Sequence, residues 1–200
     1  EKRHSEPWIL GETVSAAIGQ GYNLATPLQM AVAYAALANG GNLLRPRLLL
    51  RATGRDGSVT EGPPPEVLGT VPVAPEHLAR IRDGLEGVVS ERGGTGGRAR
   101  VRGVRVAGKT GTAQVVRLEH TENLEEDEVP VRYRDHAWFV AFAPADAPEI
   151  VVAVLVEHGG HGGSAAAPIA RRVLERYFEK RQDDEAVRVA GAPEAELADD

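Results

Sequence analysis

Two stretches of the chain are apolar without a helical period. Residues 150–156 read Ile-Val-Val-Ala-Val-Leu-Val. Residues 136–143 set Trp138, Val140 and Phe142 on one alternating face against Phe139 and Ala141 on the other. Both patterns predict strands buried on two sides. The link between them, Pro144-Ala-Asp-Ala-Pro148, is short enough to require an antiparallel pair. Helical spacing predicts three helices. The first opens on a Thr26-Pro27-x-Gln29 capping box and ends at Asn39-Gly40-Gly41. It has no charge from Met30 to Ala38, so it should be buried on nearly all sides, inside something larger than this chain. The second starts at Pro75 and carries the stripe Leu78, Ile81, Leu85 and Val88. The third is capped by Ser164. It sets Ala170, Val173, Leu174, Tyr177 and Phe178 against a wet face of Arg171, Arg172, Glu175 and Glu179, and should pack across the sheet.

Between these elements the pattern is weaker. Within residues 1–25 the most distinctive run is Ile18-Gly19-Gln20-Gly21-Tyr22, in which Gly19-Gln20-Gly21 suggests a tight backbone path rather than a regular element. Residues 43–53 read as one strand with an Arg-Pro interruption, followed by a hairpin through Asp56-Gly57 into 58–60. Residues 61–75 read as proline-rich loop, and 92–97 as a glycine connector. The six acids between 117 and 130 suggest a solvated loop, or a flap at the rim of a site. From Gln182 the chain is acidic and alanine-rich, so one domain is expected over 1–181 with a disordered tail over 182–200.

Composition narrows the function. A net charge of −6 without a basic cluster argues against a nucleic-acid partner. The absence of cysteine excludes disulfides and thiolate zinc sites. His158 and His161 flank glycines, and two histidines without a third ligand are expected to be loop residues, so neither a metal nor a cofactor is implied. Lysine occurs only at 2, 109 and 180, so arginine is the default cation and Lys109 stands out.

Lys109 lies in Gly103-Val-Arg-Val-Ala-Gly-Lys-Thr-Gly-Thr-Ala-Gln-Val115, which fits two patterns. As Gly103-x-x-x-x-Gly108-Lys109-Thr110 it satisfies the P-loop formula for nucleotide phosphates. As Lys109-Thr110-Gly111 it is the element that penicillin-binding proteins and serine β-lactamases carry beside their nucleophile. A P-loop needs a glycine-rich turn and then a helix. Here Val104, Arg105, Val106 and Ala107 precede the lysine, and Thr112, Val115 and Val116 follow it, all suited to extended chain. One strand over 103–116 is therefore expected, at a sheet margin. Alternation puts the Thr110 and Thr112 hydroxyls on one face and Lys109 on the other, a pattern suited to a carboxylate.

Several segments together resemble one family. Ile18-Gly-Gln-Gly-Tyr-x-x-Ala-Thr-Pro-Leu-Gln-Met30, Gly94-Thr95, Ala107-Gly-Lys-Thr-Gly-Thr-Ala-Gln114, Arg134-Asp-His136, Ala141-Phe-Ala-Pro144 and the valine-rich strand ending in Glu-His-Gly-Gly are similar to the C-terminal half of a class B penicillin-binding protein transpeptidase domain, of the elongation type rather than the division type. The resemblance covers about residues 10–180. It implies an α+β fold of the β-lactamase/transpeptidase type, a five-stranded antiparallel sheet between helices. Residues 103–116, 136–143 and 149–157 would be its last three strands.

It also implies D,D-transpeptidation of peptidoglycan stem peptides through an acyl-serine, and binding of β-lactams that mimic D-Ala-D-Ala. Thr110 and Thr112 would hold the terminal carboxylate. Lys109 would reach a second serine, Gly111 would let the substrate backbone approach, and the Thr112 N–H would serve the oxyanion. A membrane glycosyltransferase would be the partner, on the periplasmic side of the inner membrane. The family's nucleophile lies in Ser-x-x-Lys and a second serine in Ser-x-Asn. Ser5, Ser15, Ser58, Ser90 and Ser164 fit neither, so both elements, and the membrane anchor, are expected upstream of Glu1, and this piece alone is expected to be inactive. The rivals are a P-loop nucleotide-binding protein, a non-catalytic homologue acting as a binding module, and a serine β-lactamase.

Overall fold

The computed structural model describes residues 8–21, 23–115 and 128–190, with side chains as far as Asp183. Three antiparallel strands form its centre, in the order β5 (Ala107–Ala113), β6 (His136–Ala143), β7 (Ile150–Val156). Sequence patterning places β6 and β7 where they are found, with β6 central. Both are paired in unbroken register, from Ala107 opposite Phe142 to Ala113 opposite His136, and from Ala137 opposite Val156 to Ala143 opposite Ile150.

Each face of this sheet is covered by helices. On one face, Phe139, Ala141 and Ala143 pack with Ala166, Ala167, Ala170 and Leu174 of α4 (Gly162–Ala190). Alanine on both sides lets helix and sheet approach closely, and Phe139 and Leu174 fill the remaining volume with no exposed surface. On the other face, Phe142 and Ala107 pack with Tyr34, Leu37 and Ala38 of α2 (Pro27–Ala38) and Leu85 of α3 (Pro75–Ser90). Burial raises the Tyr34 phenol above its ordinary value. The α2 capping box forms as expected: Thr26 Oγ1 accepts from the Gln29 N–H at 3.2 Å, and Gln29 Oε1 accepts from the Thr26 N–H at 2.8 Å. Arg105, just before β5, is clamped to Glu86 of α3 by two contacts of 2.7 Å, and this ion pair raises the guanidinium pKa further.

Several expectations are corrected. Residues 10–17, to which the sequence pattern assigns no element, form the helix α1 (Leu10–Ala17), with Leu10 and Val14 at helical spacing, while the tight path expected at Gly19-Gln20-Gly21 is present, both glycines being left-handed. The expected strand over 43–53 is two strands. β1 (Asn42–Leu44) pairs with β4 (Val67–Thr70), an element read from sequence as loop, and β2 (Arg51–Thr53) pairs with β3 (Val59–Glu61) through the expected Asp56-Gly57 turn. Arg45-Pro46 ends β1 because proline cannot extend the ladder. The α3 core stripe is Leu78, Leu85 and Val89; Ile81 faces water. The α2 helix buries only Ala36 and Ala38 within this chain and leaves Leu28 60% exposed, which does not conflict with its expected place inside something larger than this chain. Val173 is likewise exposed, and Ser164 sits inside α4, its hydroxyl donating back to the His161 carbonyl at 3.0 Å rather than capping the helix. No glycine or proline interrupts the sequence from Ile169 to Ala190, so α4 continues through Gln182 to Ala190 and the expected break there is not seen. Residues 191–200, and residues 116–127 of the expected acidic loop or flap, lie outside the described residues.

Candidate active site

β5 carries the candidate chemistry and, among the described residues, has a neighbouring strand on one side only. It begins at Ala107 rather than at Gly103 as expected, because Gly103 takes a left-handed φ of 76° in a tight turn bridging Val101 and Val104. Lys109 lies within the strand, which runs on to Ala113, so among the described residues the helix that a P-loop requires at the lysine is not present. Alternation works as expected. Thr110 and Thr112 stand opposite Phe139 and Ala137 on the α4 face, while Lys109 and Gly111 stand opposite Val140 and Trp138 on the α2 face. Gly111 has a packing reason: a Cβ there would lie 3.1 Å from Trp138 Cβ.

The Lys109 side chain is exposed, and its ammonium donates to the Thr110 carbonyl at 2.8 Å. Among the described residues no carboxylate pairs with it. An exposed cation at a strand edge, with no carboxylate partner among the described residues, suits an anionic ligand in extended conformation.

Three further groups converge here that sequence patterning alone did not single out. Thr95 Oγ1 and Thr110 Oγ1 share a hydrogen bond of 2.8 Å. The glycine stretch 93–97 makes this approach possible. Gly93 is left-handed at φ 90°, and Gly94 passes so near the end of α3 that a Cβ would meet the Val88 carbonyl at 2.3 Å. So the stretch is a connector, as expected, and also the mount for a second hydroxyl. The α4 N-terminus is pressed against the same place: a Cβ on Gly162 would meet the Trp138 carbonyl at 2.1 Å and the Gly111 carbonyl at 2.7 Å, and one on Gly163 the Thr95 carbonyl at 2.4 Å. Gln20 reaches in from beyond α1, its Nε2 donating to the Thr112 carbonyl at 2.8 Å. The visible signals were the glycines flanking Gln20 and Thr95.

His136 and His158 are tied into the sheet end. The His158 N–H donates to His136 Nδ1 at 2.9 Å, and the His158 ring contacts the Arg134 carbonyl at 3.0 Å. His158 holds a left-handed φ of 55°, so this histidine closes the turn after β7. His161 is exposed.

An antiparallel sheet with helices on both faces and a Lys-Thr-Gly strand at its margin is the β-lactamase/transpeptidase architecture that the motifs implied. Within that class the chain belongs to the penicillin-binding protein transpeptidase family, whose domain matches residues 2–175. Among its relatives is the peptidoglycan D,D-transpeptidase MrdA of Haemophilus influenzae, 41% identical over 184 residues that cover 90% of this chain and 28% of that protein. Penicillin-binding protein 2 of Pseudomonas aeruginosa, solved in complex with WCK 5153, superposes with a TM-score of 0.65 at 38% identity, covering 86% of this chain and 33% of that one. Penicillin-binding protein A of Mycobacterium tuberculosis, solved as a penicillin G acyl-enzyme, gives a TM-score of 0.64 at 34% identity over 82% of this chain and 34% of that one. The chain thus spans about a third of the length of the relatives it matches.

Proposed function

We propose that this chain is the Lys-Thr-Gly portion of a peptidoglycan D,D-transpeptidase of the MrdA type. The observation that carries the reading is the exposed Lys109 with Thr110, Gly111 and Thr112 on a strand that is paired on one side only among the described residues, in a chain of this family. The reaction splits one acyl transfer into two. A serine contributed from outside this sequence attacks the penultimate D-alanine carbonyl of one stem peptide and expels the terminal D-alanine. The ester carbonyl is then attacked by an amine of a neighbouring stem, which restores the serine hydroxyl.

In this scheme the chain's residues place charge. The Thr110 and Thr112 hydroxyls hold the terminal carboxylate, and Lys109 keeps the potential positive and assists proton transfer at the nucleophile's partner serine. The Thr112 N–H is one donor to the oxyanion, and loss of one such donor typically slows reaction ~100–1000-fold. Gly111 leaves space for the incoming backbone. The same groups receive β-lactams. The chain alone, without Ser-x-x-Lys, is inactive. The full-length enzyme acts on the periplasmic side of the inner membrane beside a glycosyltransferase that supplies glycan strands. The test is labelling of the full-length protein by a fluorescent penicillin. Wild-type protein should label covalently and Lys109→Ala should not, while normal labelling of the variant removes Lys109 from the site.

A further inference from the structure

The hydrogen bond from Gln20 to Thr112 joins residues 92 apart in sequence, and the backbone on either side of Gln20 is turned sharply. Gly19 and Gly21 on either side hold left-handed φ values of 77° and 71°, conformations that L side chains adopt only at a cost. The Gln20 backbone is spoken for locally: its N–H donates to the Ser15 carbonyl at 2.9 Å, and its carbonyl accepts from Asn23 Nδ2 at 3.3 Å. The side-chain amide is thereby left to bridge to β5.

Two carbonyls of β5 accept from side chains, Thr110 from Lys109 Nζ and Thr112 from Gln20 Nε2. Carbonyls two residues apart in an antiparallel strand project to the same side, and each residue's N–H projects with its carbonyl. Side-chain donors at both positions mark that side as the open margin, so the Thr112 N–H points there as well. Thr112 is the second-last residue of β5, and strand ends at a sheet margin are where a ladder opens first. We infer that Gln20 is a positioning residue for acyl transfer, a latch that holds the end of β5 so that the Thr112 N–H stays aimed at the developing oxyanion. The inference rests on the transpeptidase reading above.

The test compares full-length wild-type protein with Gln20→Ala, Gln20→Lys and Gln20→Glu, reading the second-order acylation rate with a fluorescent penicillin, the final labelled fraction and the melting temperature. Gln20→Ala should acylate about five- to tenfold more slowly, the size of one lost neutral hydrogen bond. Gln20→Lys keeps a donor and should retain more rate than Gln20→Ala, whereas Gln20→Glu, which offers an acceptor to a carbonyl, should retain less. The final labelled fraction and melting temperature should stay near wild type in all three. Wild-type rates in Gln20→Ala and Gln20→Glu overturn the inference. So does an equal loss in all three that follows their melting temperatures, because a purely structural contact has no donor-to-acceptor order. Failure of the wild-type protein to label would instead sink the transpeptidase reading and carry this inference with it.

Discussion

Thr95 and Thr110, 15 residues apart, meet hydroxyl to hydroxyl at 2.8 Å where the glycine connector folds back against β5. A hydroxyl has one proton to give, so within this pair one oxygen donates to the other and only one proton remains for a ligand. Thr95 therefore sets the direction in which the Thr110 hydroxyl can point. Thr95→Val, close in shape and without the hydroxyl, should weaken capture of a carboxylate-bearing β-lactam by ~1 kcal/mol, seen as a several-fold rise in the concentration for half-maximal acylation rate. The limiting rate should hold. A fall confined to the limiting rate would place Thr95 elsewhere in the mechanism.

Lys109 is exposed and its ammonium donates to a carbonyl of its own strand, so its loss should leave the fold within about 0.5 kcal/mol of wild type. Thermal unfolding of full-length Lys109→Ala should therefore match wild type, while acylation should fall. Lys109→Arg should recover little rate, because a planar fork does not replace a compact ammonium. A variant that melts well below wild type would show a structural role instead.

Gly162 and Gly108 leave no space for a methyl group. A Cβ on Gly108 would sit 2.8 Å from the Val140 carbonyl and 2.9 Å from Phe139 Cζ, and one on Gly162 2.1 Å from the Trp138 carbonyl. Gly162→Ala must lift α4 from β6, so it should cost ~1–3 kcal/mol in chemical denaturation and slow acylation as well. By contrast Gly84→Ala, in α3 with nothing within 4 Å, should be neutral or stabilising by up to ~1 kcal/mol.

Leu174 is fully buried between α4 and the sheet, so Leu174→Ala should destabilise by ~2–5 kcal/mol. Acylation of the fraction that remains folded should be near wild type, since the core cluster to which Leu174 belongs includes no residue of β5. Denaturation midpoints and active-site titration separate the two quantities.

The β2–β3 hairpin gives a pH signature. The Ser58 hydroxyl and N–H both donate to Asp56, at 2.6 and 3.0 Å, and hold its carboxyl below the ordinary aspartate value. A carboxyl with a lowered folded pKa supports the turn above its unfolded value, and that support is lost as pH falls through the folded one. The Ser58 amide resonance should move as the pH is taken below the usual aspartate range, with a midpoint below that of an unstructured peptide. Asp56→Asn should abolish the movement.

Much of this architecture is visible in the chain because it depends on neighbours in sequence. Apolar residues on both alternating faces mark β6, an unbroken apolar run marks β7, each to the residue, and Thr26, Pro27 and Gln29 mark the start of α2 by local hydrogen bonding. Lys109, Thr110, Gly111 and Thr112 fall on the expected faces of a marginal strand for the same reason, while their roles in acyl transfer remain the proposal made above. What escaped depends on distant partners. Val89 rather than Val88 is fully buried because packing of the short helical turn at 97–99 and of β5 fixes the last turn of α3, which periodicity alone leaves ambiguous. β4 is only four residues long, among prolines, and exists through β1. Gln20 and Thr95 carry no special chemistry in isolation and reach β5 only through contacts with residues 92 and 15 positions away.

The tight seating of Gly162 against Trp138 and Gly111 has an evolutionary corollary. Helix and ribbon are keyed together there, so neither backbone can shift at that point without displacing the other. Under the transpeptidase reading, variation that retunes ligand preference in this portion is expected in side chains at the rim, such as Thr95, rather than in the backbone at Gly111 and Gly162.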